Sequence, residues 1–311
     1  MSGFEDYALD QFPFRDEFRS IKAVSRFNIF LQLDNNDIFM KNGYASKLEY
    51  PLNTGSLINA SNKFRYIYEK YLKDKGSNVY LSVIPDKSYF LAEKNGYLSM
   101  DYNELVRIIT ANTEFSKYID IFPELSIDDY YKTDTHWRQE NLLDVITKIS
   151  KEMGFEGLLS QEYNVNTLDK NFYGVYCGQS SLPLSADRIK YLTNDLFSDL
   201  IVTNLENQKK INVYDMERAF GRDPYEMFLS GPVSLITIEN PNAKTDKELI
   251  LFRDSFGSSI APLFVEGYRK ITLVDIRYMT SNSLDKFIEF NGQDVLFLYS
   301  TLVLNNSETL K

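Results

Sequence analysis

The chain has 311 residues and a formal net charge of −10, and hydrophobic and charged residues make up 43% and 25% of it. These values are typical of a globular protein that can bury a full core, and the acidic excess argues against a nucleic-acid partner, because phosphate binding needs clustered Lys and Arg. No apolar run reaches the roughly 18 residues that a membrane span needs, and the single cysteine, Cys177, excludes an intramolecular disulfide and a CxxC site.

In the first third of the chain, apolar residues have helical spacing in two segments and alternate with other residues in the segment between them. Helical periodicity predicts amphipathic helices, and alternation that returns toward Asn-Gly predicts a hairpin. The predicted elements are a helix over residues 4–27 with a break at Pro13, a hairpin of residues 29–33 and 38–40 before the Asn42-Gly43 turn, and a helix over residues 61–75 that ends at Gly76.

The middle of the chain alternates strand and helix signals and then becomes irregular. Residues 160–245 have no clear periodicity, and we treat them as a candidate insertion in one domain that spans residues 1–311. The predicted elements are a buried strand over residues 78–84, a helix over residues 101–113 with Asp101 as N-cap, a helix over residues 139–153 that Gly154 ends, and a hairpin of residues 200–204 and 210–214.

The last 65 residues read as strand–helix–strand–helix–strand with short links. Such a pattern predicts parallel strands joined by right-handed crossovers, with helices on both faces of the sheet. We therefore predict an α/β fold, a three-layer α/β/α sandwich around a mainly parallel sheet. The predicted elements are strands over residues 248–252, 270–276 and 294–299 and helices over residues 258–265 and 284–290.

The only histidine of the chain, His136, lies in the loop before the helix over residues 139–153. Histidine is the side chain whose unperturbed pKa, ~6.5, suits proton transfer near neutrality. Asp134 is two residues away, so in an extended loop its side chain points the same way and could accept a hydrogen bond from Nδ1. A lone histidine is more often structural, which leaves that alternative open.

Ser255 follows the strand over residues 248–252, where the carboxyl ends of parallel strands form ligand sites. A serine nucleophile needs a base, an orienting group for that base, and backbone donors for the oxyanion. The N–H groups of Ser255 and Gly257 are candidate donors, and Gly257 allows a tight turn. The alternative is that Asp254 and Ser255 only cap the next helix.

Residues 131–137 (Tyr-Lys-Thr-Asp-Thr-His-Trp) resemble the signature of the DHHW proteins of Gram-positive bacteria and the Asp-x-His-Trp segment of the alginate O-acetyltransferases. Residues 253–256 (Arg-Asp-Ser-Phe) are similar to the Gly-Asp-Ser-Phe of the same group, which belongs to the SGNH hydrolase-like superfamily. Segments 10–16, 84–87, 172–174 and 274–277 add to the resemblance.

The resemblance implies an SGNH-type fold in which Ser255 is the nucleophile, His136 the base and Asp134 its orienting acid. It implies no cofactor. It also implies an esterase or O-acetyltransferase that acts on an acetylated polysaccharide or another acyl donor, at the bacterial surface or outside the cell, with a membrane-bound acyltransferase as a candidate partner. Two departures stand out: Thr135 replaces the first histidine of Asp-His-His-Trp, and Arg253 replaces the glycine, where its bulk could alter the oxyanion pocket.

Several neighbours of these residues are candidates for the substrate pocket, each with a bland alternative. Lys132 and Arg138 flank the Asp134–His136 pair and could hold an anionic substrate group or be solvated. Trp137 could bind sugar but is expected to pack under the histidine loop. Cys177 is expected to be a small buried residue. The candidate pocket residues are Lys132, Trp137, Arg253, Gly257, Arg277 and Tyr278, with Arg138, Asp86 and Lys87 as further residues bordering the site.

Two other functions stay open at this point. Arg253, together with 22 Tyr and 22 Phe, fits a surface glycan-binding or assembly protein with little or no catalysis. A cytoplasmic esterase is the third reading, because residues 1–6 (Met-Ser-Gly-Phe-Glu-Asp) show no signal peptide. The resemblance favours a targeting or anchor segment upstream of residue 1. Oligomeric state and the identity of the polysaccharide have no sequence signal.

Overall fold

A computed structural model describes residues 34–160, 162–181 and 184–311, together with Arg19, Ile21, Lys22 and Ser25, which are helical. The rest of the helix predicted over residues 4–27, and the predicted strand over residues 29–33, lie outside the described residues.

The strands of the described residues fall into one large sheet and two small ones. They are β1 (Ile38–Lys41), β2 (Tyr44–Lys47), β3 (Val79–Ile84), β4 (Lys117–Tyr118), β5 (Asn164–Phe172), β6 (Asp187–Thr193), β7 (Ile201–Asn204), β8 (Lys209–Ile211), β9 (Leu235–Glu239), β10 (Glu248–Arg253), β11 (Lys270–Val274) and β12 (Asp294–Ser300).

The α-helices of the described residues are mostly short, and none is long and apolar enough to cross a membrane. They are α1 (Thr54–Ile67), α2 (Lys87–Leu91), α3 (Tyr102–Asn112), α4 (Leu143–Met153), α5 (Val175–Ser180), α6 (Met216–Ala219), α7 (Gly257–Ile260) and α8 (Thr301–Leu304).

The large sheet has the strand order β4-β3-β12-β10-β11-β9-β7-β8. The first five strands pair in parallel, and β9, β7 and β8 continue the sheet in antiparallel pairs. The predicted α/β class and the large, mainly parallel sheet are therefore confirmed. Strand β10 lies between β11 and β12, so the residues that follow it reach the middle of the carboxyl edge of the parallel strands.

Apolar side chains alternate between the two faces of the sheet, as the pleat of a strand requires. In β10, Leu249 and Leu251 belong to a core cluster that includes residues of α4 and α7. Ile250 and Phe252 belong to a second cluster that includes residues of α1 and α3. The carboxyl end of β10 is thus held from both sides, which gives the following turn a rigid base.

Most element predictions hold, with shifted boundaries. Helix α1 begins seven residues earlier than predicted, because Asn53 caps it and its first turns bury small residues, Ser56 and Ala60, that have no apolar periodicity. The Asn42-Gly43 turn joins β1 to β2, so the observed hairpin lies one strand further along than predicted. Strands β7 and β8 form the predicted hairpin.

The irregular stretch over residues 160–245 has two parts. Strands β5 and β6 form a separate antiparallel pair, whereas β7, β8 and β9 extend the large sheet. The single domain and the insertion stay predictions. Near the C-terminus, the predicted helix over residues 284–290 is instead a 3₁₀ helix at Ser281–Lys286, and α7 continues as a 3₁₀ turn, Ala261–Phe264, that contains Pro262.

Candidate active site

Ser255 lies in the turn between β10 and α7, and its side chain is partly exposed. The preceding Asp254 fixes this turn. One of its carboxylate oxygens accepts the Phe256 N–H at 3.0 Å. The other accepts the N–H and the hydroxyl of Ser300, at the end of β12, at 2.8 and 2.6 Å. The buried Asp254 side chain therefore ties the serine turn to the neighbouring parallel strand.

The sequence predicts Ser255 as nucleophile, His136 as base and Asp134 as orienting acid. In the structure these three residues form a chain of hydrogen bonds, which we call the relay. His136 Nε2 is 2.8 Å from Ser255 Oγ, and His136 Nδ1 is 2.6 Å from Asp134 Oδ2. The backbone N–H of His136 donates to the same oxygen at 3.1 Å. Serine and histidine are 119 residues apart in sequence, so the fold creates this juxtaposition.

The loop that carries Asp134 and His136 is closed at its base and anchored along its length. Tyr130 and Trp137 pair as an antiparallel bridge. Asp187 of β6 accepts the N–H groups of Lys132 and Thr133, at 3.0 and 2.8 Å, and the Thr133 hydroxyl at 2.6 Å. The buried carboxylate of Asp187 thus holds the part of the loop that leads to Asp134 and His136.

The N-terminal end of α5 packs directly on Asp134. The Val175 N–H donates to Asp134 Oδ1 at 2.9 Å. A Cβ on Gly174 would lie 2.2 Å from the Asp134 Cβ, so only glycine fits there. Burial of Asp134 opposes its ionisation, but attraction to His136 and the hydrogen bonds of His136 and Val175 outweigh this effect, and the pKa lies below its ordinary value.

Lys87 lies beneath the same loop and is buried. Its ammonium group donates to the carbonyl oxygens of Tyr131 at 2.9 Å and Lys132 at 3.2 Å. Burial lowers the pKa of Lys87 to about 7, against the attraction of Asp134 and Asp187. Asp86, beside it, caps α2, and burial raises the pKa of that carboxyl to about 6. Lys87 thus supports the loop from below, whereas Asp86 accepts hydrogen bonds from Ser88, Tyr102 and Thr301 and none from the described residues of the loop.

Tyr225 covers one face of the His136 ring. The two ring centroids are 3.8 Å apart and the planes differ by 8°. The Tyr225 hydroxyl and the Trp137 indole N–H both bond to the Ser259 hydroxyl at 2.9 Å. Trp137 is fully buried and packs beneath the histidine loop, so it lies behind the site.

The two oxyanion-donor candidates differ. In the described part of the chain the Ser255 N–H forms no hydrogen bond, whereas the Gly257 N–H donates to the Asp254 carbonyl at 3.1 Å. Gly257 is required for close approach rather than for a left-handed turn, because a Cβ there would meet the Arg253 Cβ at 2.5 Å. The Ser255 N–H is the donor that stays free.

A cavity of about 290 Å³ opens beside Ser255 and His136. Three candidate pocket residues, Arg253, Arg277 and Tyr278, border it, while Lys132, Trp137 and Gly257 do not. Lys132 extends outward on the exposed side of its loop. The lining residues are His136, Asp223, Tyr225, Glu226, Phe228, Gly231, Pro232, Arg253, Ser255, Ser258, Arg277 and Tyr278.

Arg253 does not fill the space between Ser255 and His136. Its side chain is 1% exposed and donates to the Val233 carbonyl at 3.0 Å, with Asp275 at 3.4 Å. Burial lowers the pKa of Arg253, and Asp275 opposes that effect. Asp275 also holds Arg277 through two hydrogen bonds of 2.9 and 2.7 Å. The bulk that replaces glycine is thus directed into the protein.

Sequence reasoning missed several residues of this site. Asp223 and Tyr225 have no local motif and come from the irregular stretch. Asp187 looks like any strand charge, and Gly174 entered only through the resemblance. Burial raises the pKa of Asp223, and the nearby Asp134 raises it further.

Cys177 lies in α5 and is partly buried. Burial raises the pKa of its thiol to about 11, and Asp187 adds to the rise. A thiol with such a pKa is protonated at neutral pH and is a poor nucleophile. Among the described residues no group of three or more His, Cys, Asp or Glu is arranged to hold a metal ion.

The fold resembles several solved structures. A DHHW family protein from Eubacterium siraeum has a TM-score of 0.71 at 18% identity, over 89% of this chain and 95% of its own. Bacillus cereus PatB1 has a TM-score of 0.69 at 17% identity, over 86% of this chain and 96% of its own. The O-acetyltransferase domain of Pseudomonas putida AlgJ has a TM-score of 0.51 at 9% identity, over 86% of this chain and 92% of its own.

No protein-family model matches the chain, and no curated protein matches it by sequence. At these identities the likeness shows the fold alone. The chain has the fold of the DHHW, PatB1 and AlgJ group, which confirms the predicted resemblance at the level of the fold.

Proposed function

We propose that this protein is a serine-dependent acyl-ester enzyme, an O-acetyltransferase or esterase that acts on a bacterial polysaccharide. The observation that carries the proposal is the continuous relay from Asp134 through His136 to Ser255, with distances of 2.6 and 2.8 Å. The shared fold supports the acetyltransferase reading, since one protein of that fold is the O-acetyltransferase domain of AlgJ. We also infer a three-layer arrangement of SGNH type.

In the first half-reaction, Ser255 Oγ attacks the carbonyl carbon of the acyl ester. His136 Nε2 takes the serine proton as the new C–O bond forms, and the carbonyl π electrons move onto oxygen. The Ser255 N–H donates to this oxyanion. When the intermediate collapses, the alcohol leaves with the proton from His136, and the acyl group stays on Ser255.

In the second half-reaction, water or a sugar hydroxyl attacks the acyl carbon. His136 takes the proton of the attacking hydroxyl and returns it to Ser255 Oγ as the enzyme ester breaks. Asp134, ionised and buried, fixes the imidazole so that Nδ1 carries the hydrogen and Nε2 faces the serine.

The polysaccharide substrate, a location at the cell surface or outside the cell, and a membrane-bound acyltransferase as acyl donor belong to the same proposal. They follow from the family resemblance and from the fold shared with AlgJ. Sequencing the gene tests the proposed location: an export or anchor segment encoded upstream of residue 1 would support it, and the lack of one would contradict it.

A sulfonyl fluoride tests the nucleophile directly, because it reacts with an activated serine hydroxyl. PatB1, which shares the fold, has been solved with a sulfonyl adduct. We expect phenylmethylsulfonyl fluoride to add one group to Ser255, mapped by fragment-ion mass spectrometry, and to stop release of p-nitrophenol from its acetate ester.

The matched variants are Ser255→Ala and Ser198→Ala, a surface serine whose hydroxyl bonds to Asp195. The first should lose both the label and the activity, and the second should keep both. An unlabelled wild-type Ser255 that also hydrolyses no ester would favour the glycan-binding alternative and overturn the enzyme proposal.

A further inference from the structure

Asp223 is a carboxylate in the wall of the cavity that the reaction steps above do not use. Its Oδ1 accepts the Tyr225 N–H at 3.0 Å, which fixes the side chain next to the residue that stacks on His136. Its Oδ2 forms no hydrogen bond to any group in the described part of the protein. A carboxylate oxygen with free lone pairs can accept hydrogen bonds from a substrate hydroxyl.

Arg277 brings donors to the same cavity. Its side chain is 18% exposed, and Asp275 takes its Nε–H and one Nη2–H. A guanidinium has five N–H groups, so three remain for other partners. The two bonds to Asp275 fix the plane of the group, which lowers the entropy cost of binding a further acceptor.

The formal charges on this wall nearly cancel. Arg253 and Arg277 share the buried carboxylate of Asp275, and the Asp254 carboxylate also attracts Arg253. Glu226, which borders the cavity, is paired with Arg218. Asp223 adds a further carboxylate. A carboxylated ligand would meet this negative group, whereas a neutral ligand with hydroxyls finds both acceptors and donors.

Tyr278 completes the site with an apolar face. It borders the cavity and is 52% exposed, and the Arg277 guanidinium carbon lies 5.4 Å from its ring centroid. An exposed aromatic ring beside a carboxylate and a guanidinium offers one apolar surface and two polar edges. A pyranose matches this arrangement, because its C–H face is apolar and its adjacent hydroxyls are polar.

We propose that Asp223, Arg277 and Tyr278 form an acceptor subsite for a neutral sugar, and that Asp223 determines whether the acyl group passes to sugar or to water. The inference rests on the proposed function. Asp223 accepts a hydrogen bond from one hydroxyl of the sugar, Arg277 donates to an adjacent oxygen, and a neighbouring hydroxyl attacks the acyl carbon of acyl-Ser255. The new C–O bond forms, the bond to Ser255 Oγ breaks, and His136 moves the proton between the two oxygens.

The partition of one acyl-enzyme between acceptor and water tests this subsite. The wild-type protein is incubated with p-nitrophenyl acetate and either methyl glucoside or methyl glucuronide, and acetylated sugar and free acetate are both measured. Because both products come from the same acyl-enzyme, their ratio does not depend on the acylation rate. We expect transfer to the glucoside to exceed transfer to the charged glucuronide by about tenfold.

Asp223→Asn keeps an oxygen for the Tyr225 N–H but removes the negative charge. It should lower the transfer-to-hydrolysis ratio about tenfold, and Arg277→Lys should raise the KM for the glucoside. Asp285→Asn, an exposed carboxylate far along the chain, is the matched control and should leave the ratio unchanged. Thermal unfolding of each variant verifies folding.

An unchanged ratio in Asp223→Asn, equal or better transfer to the glucuronide, or hydrolysis without any transfer to the glucoside would each overturn the subsite while leaving the esterase chemistry intact. Failure of the proposed function looks different, since then no p-nitrophenol is released and Ser255 takes no sulfonyl label.

Discussion

Gly174 lies so close to Asp134 that a Cβ on the glycine would meet the aspartate Cβ at 2.2 Å. The contact joins the start of α5 to the loop that orients the single histidine. It allows the Val175 N–H to reach Asp134 Oδ1, so the buried carboxylate has a donor on each oxygen. The position of the proposed general base therefore depends on Gly174 having no side chain, although Gly174 is about 40 residues away in sequence.

We expect Gly174→Ala to displace the Asp134 loop, because the new methyl group cannot fit against backbone and Cβ atoms. Overpacking of this kind typically destabilises a protein by about 1–3 kcal/mol. Esterase activity should fall by more than the loss of folded protein explains. The control is Gly178→Ala in α5, where a new Cβ has nothing within 4 Å. Equal activity of the two variants would contradict the packing argument.

Asp134→Asn should lower kcat by about 10³–10⁴, because the amide no longer favours the imidazole tautomer that carries hydrogen on Nδ1. We expect this variant to fold but to react more slowly with the sulfonyl fluoride at Ser255, which distinguishes a loss of activation from a loss of folding. The comparison is the rate of sulfonylation in the variant and in the wild type. A labelling rate within twofold of wild type would remove Asp134 from the relay.

The lowered pKa of Asp134 predicts the sign of an acid effect on stability. The folded state binds this proton less tightly than the unfolded state, whose Asp pKa is about 3.9. The contribution of Asp134 is therefore complete above that pH and is lost as the pH falls through the folded value. Urea unfolding at pH 6 and pH 3 should show a smaller loss of stability in Asp134→Asn than in wild type.

Lys87 gives a pH dependence of the same sign in a higher pH range, although its burial destabilises the folded state whereas Asp134 stabilises it. Its pKa is about 7 when folded against 10.5 when exposed, so between these values the unfolded state binds the extra proton and stability rises with pH. Below pH 7 both states are protonated and the burial penalty is fully present. From pH 7 to pH 9 the gain is about 2–3 kcal/mol. Lys87→Met should lack it, as urea unfolding at both pH values can measure, and a parallel rise in both proteins would contradict the assignment.

Arg253→Gly restores the residue of the motif that this chain resembles, yet we expect it to be harmful. It removes a buried side chain and leaves the Val233 carbonyl and part of Asp275 without a partner. Breaking a buried ion pair destabilises a protein by about 3–5 kcal/mol. Arg269→Gly, at an exposed surface pair, is the control and should cost under about 1 kcal/mol. Higher activity with unchanged stability in Arg253→Gly would show that Arg253 obstructs the site.

The sequence predicted the relay because each part has a local signal. Asp134 and His136 are two residues apart before a helix, and Ser255 follows a strand whose apolar run identifies it as buried. Parallel strands then bring these signals to one edge of the sheet. The strands of the last 65 residues were also predicted, because each is a short apolar run that identifies it as buried.

The supporting residues could not be predicted, because their roles arise only from tertiary contact. Asp187, Asp223 and Tyr225 lie in the stretch without periodicity, and nothing in their neighbours distinguishes them from surface residues. For Arg253, the sequence shows its bulk beside the nucleophile but not the direction of its side chain. That direction depends on Asp275, which is 22 residues further along.

The Tyr225 ring, parallel to His136 at 3.8 Å, also makes the histidine a spectroscopic reporter. Protons held over an aromatic face experience its ring current, so the imidazole C–H resonances should appear upfield of those of a free histidine. Because the chain contains one histidine, these signals need no assignment by mutagenesis. A single NMR titration would follow protonation of the proposed base in the free enzyme and again after sulfonylation of Ser255.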